Sequence, residues 1–319
     1  MRVLITGAAG FIGQQVLADL LIQQPNWELF AADIRAIPAN LKQGQLQALQ
    51  LDISKPAAVL KAVAAIKPQA IVHLASVVTP PPGMSEATLH AIDVEGTRAI
   101  IEAAAAHEVS QLIVTSSGAA YGYYPENAEW IDEHDPLRGH ASFAYAKHKR
   151  EVEELLVQAR VAYPQLRQLI LRPGTILGKR VENQITALFK KRAVLGIKGS
   201  DSRFVFIWDQ DVVRIIRKGL ECGTAGIYNL AGDGALSLRE IAAILHKPYL
   251  SLPAGLVQGV LRLLQPLGLS QYGPEQVDFL RYRPVLANRR LKDEFGYSPR
   301  YSSREAFLAF LDAQGIKHA

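Results

Sequence analysis

Val3-Leu4-Ile5-Thr6-Gly7-Ala8-Ala9-Gly10-Phe11-Ile12-Gly13 is the stretch that decides the fold. Val3 to Ile5 are apolar and partly β-branched, which suits a strand covered on both faces. Gly7, Gly10 and Gly13 follow at three-residue intervals. Backbone without Cβ lets a pyrophosphate approach, and a helix beginning there offers unpaired N–H groups and the positive end of its dipole. Phe11, Ile12, Val16, Leu17 and Leu20 recur at helical spacing, so the turn opens a helix. The spacing G-x-x-G-x-x-G differs from the G-x-G-x-x-G dinucleotide fingerprint but asks the same of the backbone. Alone it is a weak signal, because glycine turns after strands are common. The residues downstream give it meaning.

Trp27 to Ala32 form a second apolar strand ending at Asp33, twenty residues beyond Gly13. A dinucleotide fold places an acid there to accept the adenosine ribose hydroxyls. An acid repels a 2′-phosphate and so favours NAD over NADP; Arg35 softens that preference. A third strand, Leu46 to Leu51, leads to Asp52-Ile53, where adenine would lie. Ser54 is an N-cap for a helix from Lys55 to Ile66 with Pro56 in its first turn, and Asp52 fits that cap as well as it fits adenine. The fourth strand, Ala70 to Leu74, ends in Ala75-Ser76 on the ligand side of the sheet, and His73 reads as a packed strand residue. The loop Val77 to Ser85 is stiffened by Pro80 to Pro82. A helix runs from Glu86 to His107, and its Ala103 to Ala106 run permits close packing by a subunit or the core. The fifth strand, Gln111 to Thr115, delivers Ser116 and Ser117 to the crevice. After the long loop Tyr121 to His140, a helix from Ser142 to Ala162 carries Tyr145 and Lys149 on one face. Leu166 to Leu171 is the sixth strand.

Six strands alternating with helices predict an α/β fold with a Rossmann-type, doubly wound parallel sheet. From Arg172-Pro173-Gly174 the alternation loosens. The expected division is a dinucleotide-binding part, residues 1–172, and a smaller α/β substrate-binding part, 173–319, interleaved without a flexible linker. In the second part Asp209 and Asp211 are expected to cap a helix from Val212 to Glu221, Asn288 another, and Ser237 and Ser302 two more. The apolar tract Leu250 to Leu269 reads first as core.

The 319 residues are 49% apolar and 20% charged, as in a folded protein with ample core. One cysteine, Cys222, excludes an internal disulfide framework and a cysteine-based zinc site, and reads as a small buried residue. No histidine pair has metal-ligand spacing on a helix, so no metal is expected. The chain begins inside its first strand and has no long apolar run, so a cytoplasmic protein without membrane contact is expected. The net charge of +5 is mild, and Lys190-Lys191-Arg192 fits a solvated helix face better than a nucleic-acid site.

With the glycine turn, strand-end acid, strand-end serine and helical Tyr/Lys pair in order, the chain resembles the extended short-chain dehydrogenase/reductases, the NAD-dependent epimerase/dehydratase family. Thr6 to Gly13 resembles the family's cofactor motif, Ser117 stands at its catalytic hydroxyl position, and Tyr145-Ala-Lys-His-Lys149 matches its Tyr-x-x-x-Lys. The resemblance implies Ser117, Tyr145 and Lys149 as catalytic residues. It implies a dinucleotide held by Gly7, Gly10, Phe11, Ile12 and Gly13, by Asp33 and Arg35, and by Asp52 and Ile53. Toward the nicotinamide end the implied set is Leu74, Ala75, Ser76, Thr115, Tyr145, Lys149, Arg172, Pro173 and Gly174. Lys149 is expected to lower the Tyr145 pKa, letting the phenol exchange a proton with a substrate oxygen as hydride moves. The chain departs from the family in carrying Asp93 where Asn is frequent. Gly118 and Ala119 replace the Asp-Glu pair of sugar 4,6-dehydratases, which excludes that activity. The expected function is an oxidoreductase acting on a secondary alcohol or carbonyl with NAD, or NADP, as cofactor. The alternatives are a UDP-sugar 4-epimerase with retained NAD and, behind both, a non-catalytic NAD-binding regulatory protein. The small-molecule substrate is left open, and the family pattern implies a homodimer through a four-helix bundle.

Overall fold

The computed structural model of the chain describes all residues except 42–43, 82, 268–272, 275 and 319. Pro82 and Leu269 therefore lie outside the described residues.

Strand β1 (Arg2–Thr6) leads through the glycine turn into α1 (Phe11–Gln23), followed by β2 (Glu28–Asp33), β3 (Leu46–Gln50), α2 (Pro56–Ile66) and β4 (Ala70–His73). Next come α3 (Glu86–His90), a π-wound turn (Ala91–Glu95), α4 (Gly96–Ala106), β5 (Gln111–Thr115), α5 (Ala144–Ala162) and β6 (Arg167–Pro173). The second half contains β7 (Thr175–Leu177), α6 (Gln184–Phe189), β8 (Val194–Ile197), β9 (Arg203–Phe204), β10 (Phe206–Trp208), α7 (Asp209–Cys222) and β11 (Gly226–Leu230). It ends with β12 (Leu236–Ser237), α8 (Leu238–Ile244), β13 (Tyr249–Leu252), α9 (Ala254–Leu264), α10 (Gln276–Arg281), α11 (Arg289–Asp293) and α12 (Ser303–Ala313).

Among the described residues, seven strands form one parallel sheet in the order β3-β2-β1-β4-β5-β6-β11. Strand alternation supplies a core to each face. Val3 and Ile5 point to a cluster with Val16, Leu17 and Leu20 of α1 and Val212, Val213 and Ile216 of α7. Leu4 points the other way, to Val59 and Val63 of α2, Ile100 and Ala104 of α4, and Val152 and Leu156 of α5. The chain leaves β1 toward one edge and returns at β4 on its other side. The strand order therefore reverses between β1 and β4, and a crevice opens above their carboxyl ends.

The sheet does not end at its sixth strand: Gly226 to Leu230, expected as a further strand, joins it. Helix α7 packs on α1, and β11 pairs with β6, with Tyr228 beside Leu171. The sheet thus draws on residues beyond 172. Much of the second half packs around Phe189, Phe204, Phe206, Phe307 and Phe310, while α9 and α10 pack on Ile197 through Val257 and Val277.

Several local expectations are corrected. Ser54 does not cap α2: Lys55 holds that position, and the Ser54 N–H and hydroxyl both donate to Asp52 Oδ1, at 2.9 and 2.7 Å. The helix expected from Glu86 to His107 widens to π geometry at Ala91–Glu95, which sets Asp93 inward. Asp209 and Asp211 lie inside the first turn of α7; Asp211 accepts from the Tyr297 hydroxyl at 2.6 Å and from the Arg300 N–H at 3.1 Å. Asn288 stands before α11 but donates its amide to Ala231 O and Asp233 Oδ1. Ser237 and Ser302 form capping boxes with Glu240 and Glu305, as expected. Cys222, expected buried, is exposed at the end of α7. The tract from Leu250, expected as core, buries little more than Val257 in α9, whereas Leu256, Val260, Leu263 and Leu267 are exposed.

Candidate active site

The crevice above β1 and β4 is a cavity of about 600 Å³. Its floor is the glycine turn. Gly7 has a φ of +69°, and a Cβ there would lie 2.5 Å from the Ala75 nitrogen. A Cβ on Gly13 would lie 2.2 Å from the Gly7 carbonyl oxygen. No larger residue can bring β1, α1 and the end of β4 so close. Gly10 is the N-cap of α1 and brings no side-chain cap, so first-turn N–H groups remain for an external acceptor. Gly7, Gly10, Phe11, Ile12 and Gly13 all border the cavity, as a pyrophosphate cradle requires.

Asp33 ends β2 almost buried. Its carboxylate accepts from the Ala9 N–H at 2.9 Å and from the Arg35 N–H at 2.9 Å. The Arg35 guanidinium, mostly exposed, folds back on it with Nε 3.2 Å from Oδ1. The acid is thereby fixed beside the glycine turn, and an adenosine ribose would have to share it with Arg35. The glycine cradle and this acid fit a dinucleotide. Asp52 is drawn into its bonds with Ser54, and the Ile53 side chain packs against Gly96 in the core, so neither borders the cavity. Leu74, Ser76, Thr115, Pro173 and Gly174 line it; Ala75 abuts Gly7 with its backbone. The Ser76 hydroxyl is buried without a partner among the described residues.

Arg172 is corrected from a cofactor ligand to a core residue. Its Nε and Nη2 donate to the Glu153 carboxylate, and Nη1 donates to the Tyr121 hydroxyl at 2.7 Å and to Glu133 O at 3.1 Å. Strand alternation turns this side chain onto the α5 face of the sheet, where Glu153 meets it, and it does not border the cavity. Ser116 also ends on Glu153.

Ser117, Tyr145 and Lys149 come together on the cavity wall. The Ser117 hydroxyl accepts from the Ala119 N–H at 3.1 Å and hydrogen-bonds the Tyr145 phenol. Lys149 Nζ donates to Thr115 O at 3.0 Å and lies 5.6 Å from the centre of the Tyr145 ring. The expected lowering of the phenol pKa is not what this arrangement produces. Burial pushes Tyr145 up to about 12, outweighing the Ser117 hydrogen bond, and the Asp93 carboxylate pushes the same way. Lys149 is itself held below its ordinary value by burial. Without a ligand, Tyr145 is a neutral phenol.

Sequence patterning missed several residues of the wall. Tyr123 and Phe143 stand near Tyr145, and Phe279 closes over them. Arg283 is the most consequential. Its guanidinium carbon lies 4.0 Å from the Phe204 ring centre and 4.4 Å from that of Phe279. Nη2 donates to the Thr175 hydroxyl at 3.3 Å, and Nη1 is buried without a partner among the described residues. Burial depresses Arg283 to about 10, and its guanidinium forms no ion pair with a carboxylate among the described residues. It sits in a segment without periodicity, and only the long loop Tyr121 to His140 hinted at this aromatic lining. No cluster able to hold a metal ion occurs among the described residues, and none of their helices is long and apolar enough to cross a membrane.

The model of the NAD dependent epimerase/dehydratase family matches residues 3–231. The chain belongs to that family. An uncharacterised Mycobacterium tuberculosis protein is 23% identical over 317 residues, covering 98% of this chain and 84% of its own. The decarboxylating sterol-4-alpha-carboxylate 3-dehydrogenase of Candida albicans is 26% identical over 215 residues, 65% of this chain and 60% of the other. Among solved structures, the UDP-glucose 4-epimerase of Thermus thermophilus in complex with NAD superposes with a TM-score of 0.72, at 22% identity over 98% of each chain. The likeness to that structure is one of fold.

Proposed function

We propose that the protein is an NAD-dependent oxidoreductase that interconverts a secondary alcohol and a carbonyl, with Tyr145 as its acid/base. The observation that carries this reading is the meeting of Ser117, Tyr145 and Lys149 with the glycine cradle in one cavity. Bound NAD supplies the acceptor or donor of hydride. The α1 N-terminus and Gly7, Gly10 and Gly13 bind the pyrophosphate, and Asp33 takes the ribose hydroxyls and disfavours a 2′-phosphate. Lys149 holds the nicotinamide ribose and steadies charge on the Tyr145 oxygen. Ser117 hydrogen-bonds the substrate oxygen and orients it toward Tyr145. In reduction the Tyr145 hydroxyl proton passes to the carbonyl oxygen while hydride adds to the carbon; oxidation runs both transfers backward. Residues 1–172 hold the dinucleotide with help from α7 and β11, and residues 173–319 supply Thr175, Val205, Phe279 and Arg283 on the substrate side. Two copies pair through α4 and α5.

A second reading, nucleotide-sugar 4-epimerisation, is favoured by Arg283. A half-buried cation with no carboxylate paired to it among the described residues suits a diphosphate, although an acidic alcohol suits it equally. The test is a screen of secondary alcohols, hydroxy acids and UDP-sugars followed by NADH absorbance, with Tyr145→Phe alongside. Net NADH formation that falls by roughly 10²–10⁴-fold in the variant supports the oxidoreductase. Conversion of UDP-sugars without net NADH change supports the epimerase. Full turnover by Tyr145→Phe sinks both.

A further inference from the structure

Helix α9 buries one apolar stripe and leaves another bare. Val257 and Leu261 pack inward with Ile197 of β8 and with Val277 and Leu280 of α10. Leu256, Val260 and Leu263 stand at i, i+4 and i+7, in one narrow arc of the helix, and Leu267 follows in the turn beyond it. These four are 54%, 45%, 70% and 69% exposed. Leu250 of β13 is exposed as well, on the same side of its strand as Leu252, which packs with the α9 cluster. All five are aliphatic. The aromatic rings that usually anchor a protein interface are missing from the set.

The charge around the stripe has one sign. From Lys247 to Pro274 the sequence holds Lys247 and Arg262 and no Asp or Glu. The segment that pairs with β13 is alike: residues 183–200 contain Lys190, Lys191, Arg192 and Lys198 and no carboxylate side chain. Lys190 pairs with Glu182, but Lys191, Arg192, Lys198 and Arg262 are exposed and enter no ion pair among the described residues. Asp201, just beyond, is held by Arg203 at 3.0 Å. Lys198 is fixed beside the start of α9, because its N–H donates to Leu252 O at 2.8 Å and Pro253 is the helix N-cap. An aliphatic helix face flanked by free cations and cleared of carboxylates has the chemistry of a helix lying in the headgroup layer of a bilayer. We propose that α9 docks this protein on an anionic lipid surface, with Leu256, Val260 and Leu263 at the acyl boundary and Lys198 and Arg262 among the phosphates. The expectation of no membrane contact rested on the lack of a spanning run, and docking in the headgroup layer needs none. Helix α10 separates this surface from the cavity: its Leu280 packs with α9, and Phe279, one residue earlier, lines the cavity wall.

Sedimentation of the full chain with sucrose-loaded vesicles tests the docking. Wild type should bind vesicles of two parts phosphatidylcholine to one part phosphatidylglycerol, and pure phosphatidylcholine roughly tenfold more weakly. Leu256→Gln/Leu263→Gln should lose roughly tenfold or more in affinity for the mixed vesicles. Leu263→Gln alone repeats the test with the same sign should circular dichroism show the double variant unfolded. Lys198→Gln/Arg262→Gln should lose roughly tenfold at low salt, a difference that high salt removes. Light scattering without lipid should give the leucine variants the mass of the wild type. Wild type that ignores the mixed vesicles or binds both kinds equally overturns the proposal. So do leucine variants that bind as wild type does, or a fall in their mass, which would put a second copy of the chain on the stripe. None of these readouts depends on hydride transfer.

Discussion

Arg172 carries a full charge into the core with every guanidinium nitrogen occupied, and most of that hydrogen bonding goes to Glu153. The pair contributes little against well-packed apolar residues, because two desolvated ions must first offset their lost hydration. Removing only one partner is another matter. Arg172→Leu leaves Glu153 buried and unpaired, and should cost about 3–5 kcal/mol in urea unfolding. NADH affinity of the protein that remains folded should be unchanged, because the side chain does not border the cavity. A weakened NADH affinity at undiminished stability would return Arg172 to the cofactor. Sequence could place Arg172 at the end of a strand but not choose its face. That choice depends on pleat register one residue at a time, and the neighbours Pro173 and Gly174 do reach the cavity. Arg283 was illegible for a different reason: its surroundings come from Phe204 and Thr175, which are distant in the chain, together with Phe279 on the preceding helix.

At the scale of elements, α5 has an inner and an outer face. Lys149, Val152, Glu153 and Leu156 turn inward, while Val157 and Val161, one turn apart, are 54% and 83% exposed. The alanine run of α4, a candidate for contact with a partner, lies largely inside: Ala103 and Ala104 are buried where α4 meets α2 and α5. What is left for pairing is the outer valine stripe of α5 and the exposed Arg98 and Glu102 of α4. Light scattering should give twice the chain mass for the wild type and a folded monomer for Val161→Glu, since a buried unpaired carboxylate opposes association. A monomeric wild type would sink the pairing. The long elements were legible because periodicity reports which face is apolar: β1, α1, α5 and the sheet class all follow from it. Helix α9 shows where that signal stops. Leu256, Val260 and Leu263 repeat as faithfully as Val257 and Leu261, yet the first set faces solvent and the second packs inward, and apolar spacing alone cannot tell two such stripes apart.

For the molecule as a whole, one buried imidazole ties the two sides of the crevice together and makes stability depend on pH. His73 bridges Thr6 of β1, at 2.7 Å from Nδ1, to Thr97 of α4, at 3.0 Å from Nε2. Burial first, and then the Lys149 charge, depress it to about 3. Its folded value thus lies below the unfolded one, near 6.5. Above about pH 6.5 both states are neutral and the full stability is present. As pH falls below that, the unfolded chain takes up a proton that the folded chain refuses, and stability drops by roughly 1.4 kcal/mol per pH unit until the folded value is reached. Asp19, Glu133 and Asp209 are raised by burial and act with the opposite sign as pH falls toward the carboxylate range. The wild type must therefore be compared with a variant at each pH. His73→Gln keeps polar atoms for the two threonines and has nothing to titrate. Urea unfolding from about pH 7 to about pH 5 should show the stability advantage of the wild type over His73→Gln shrinking by about 2 kcal/mol. Parallel decline of the two curves would mean that His73 is protonated in the folded protein, and that the polar chain from the glycine turn to Thr97 carries a charge it is otherwise built to exclude.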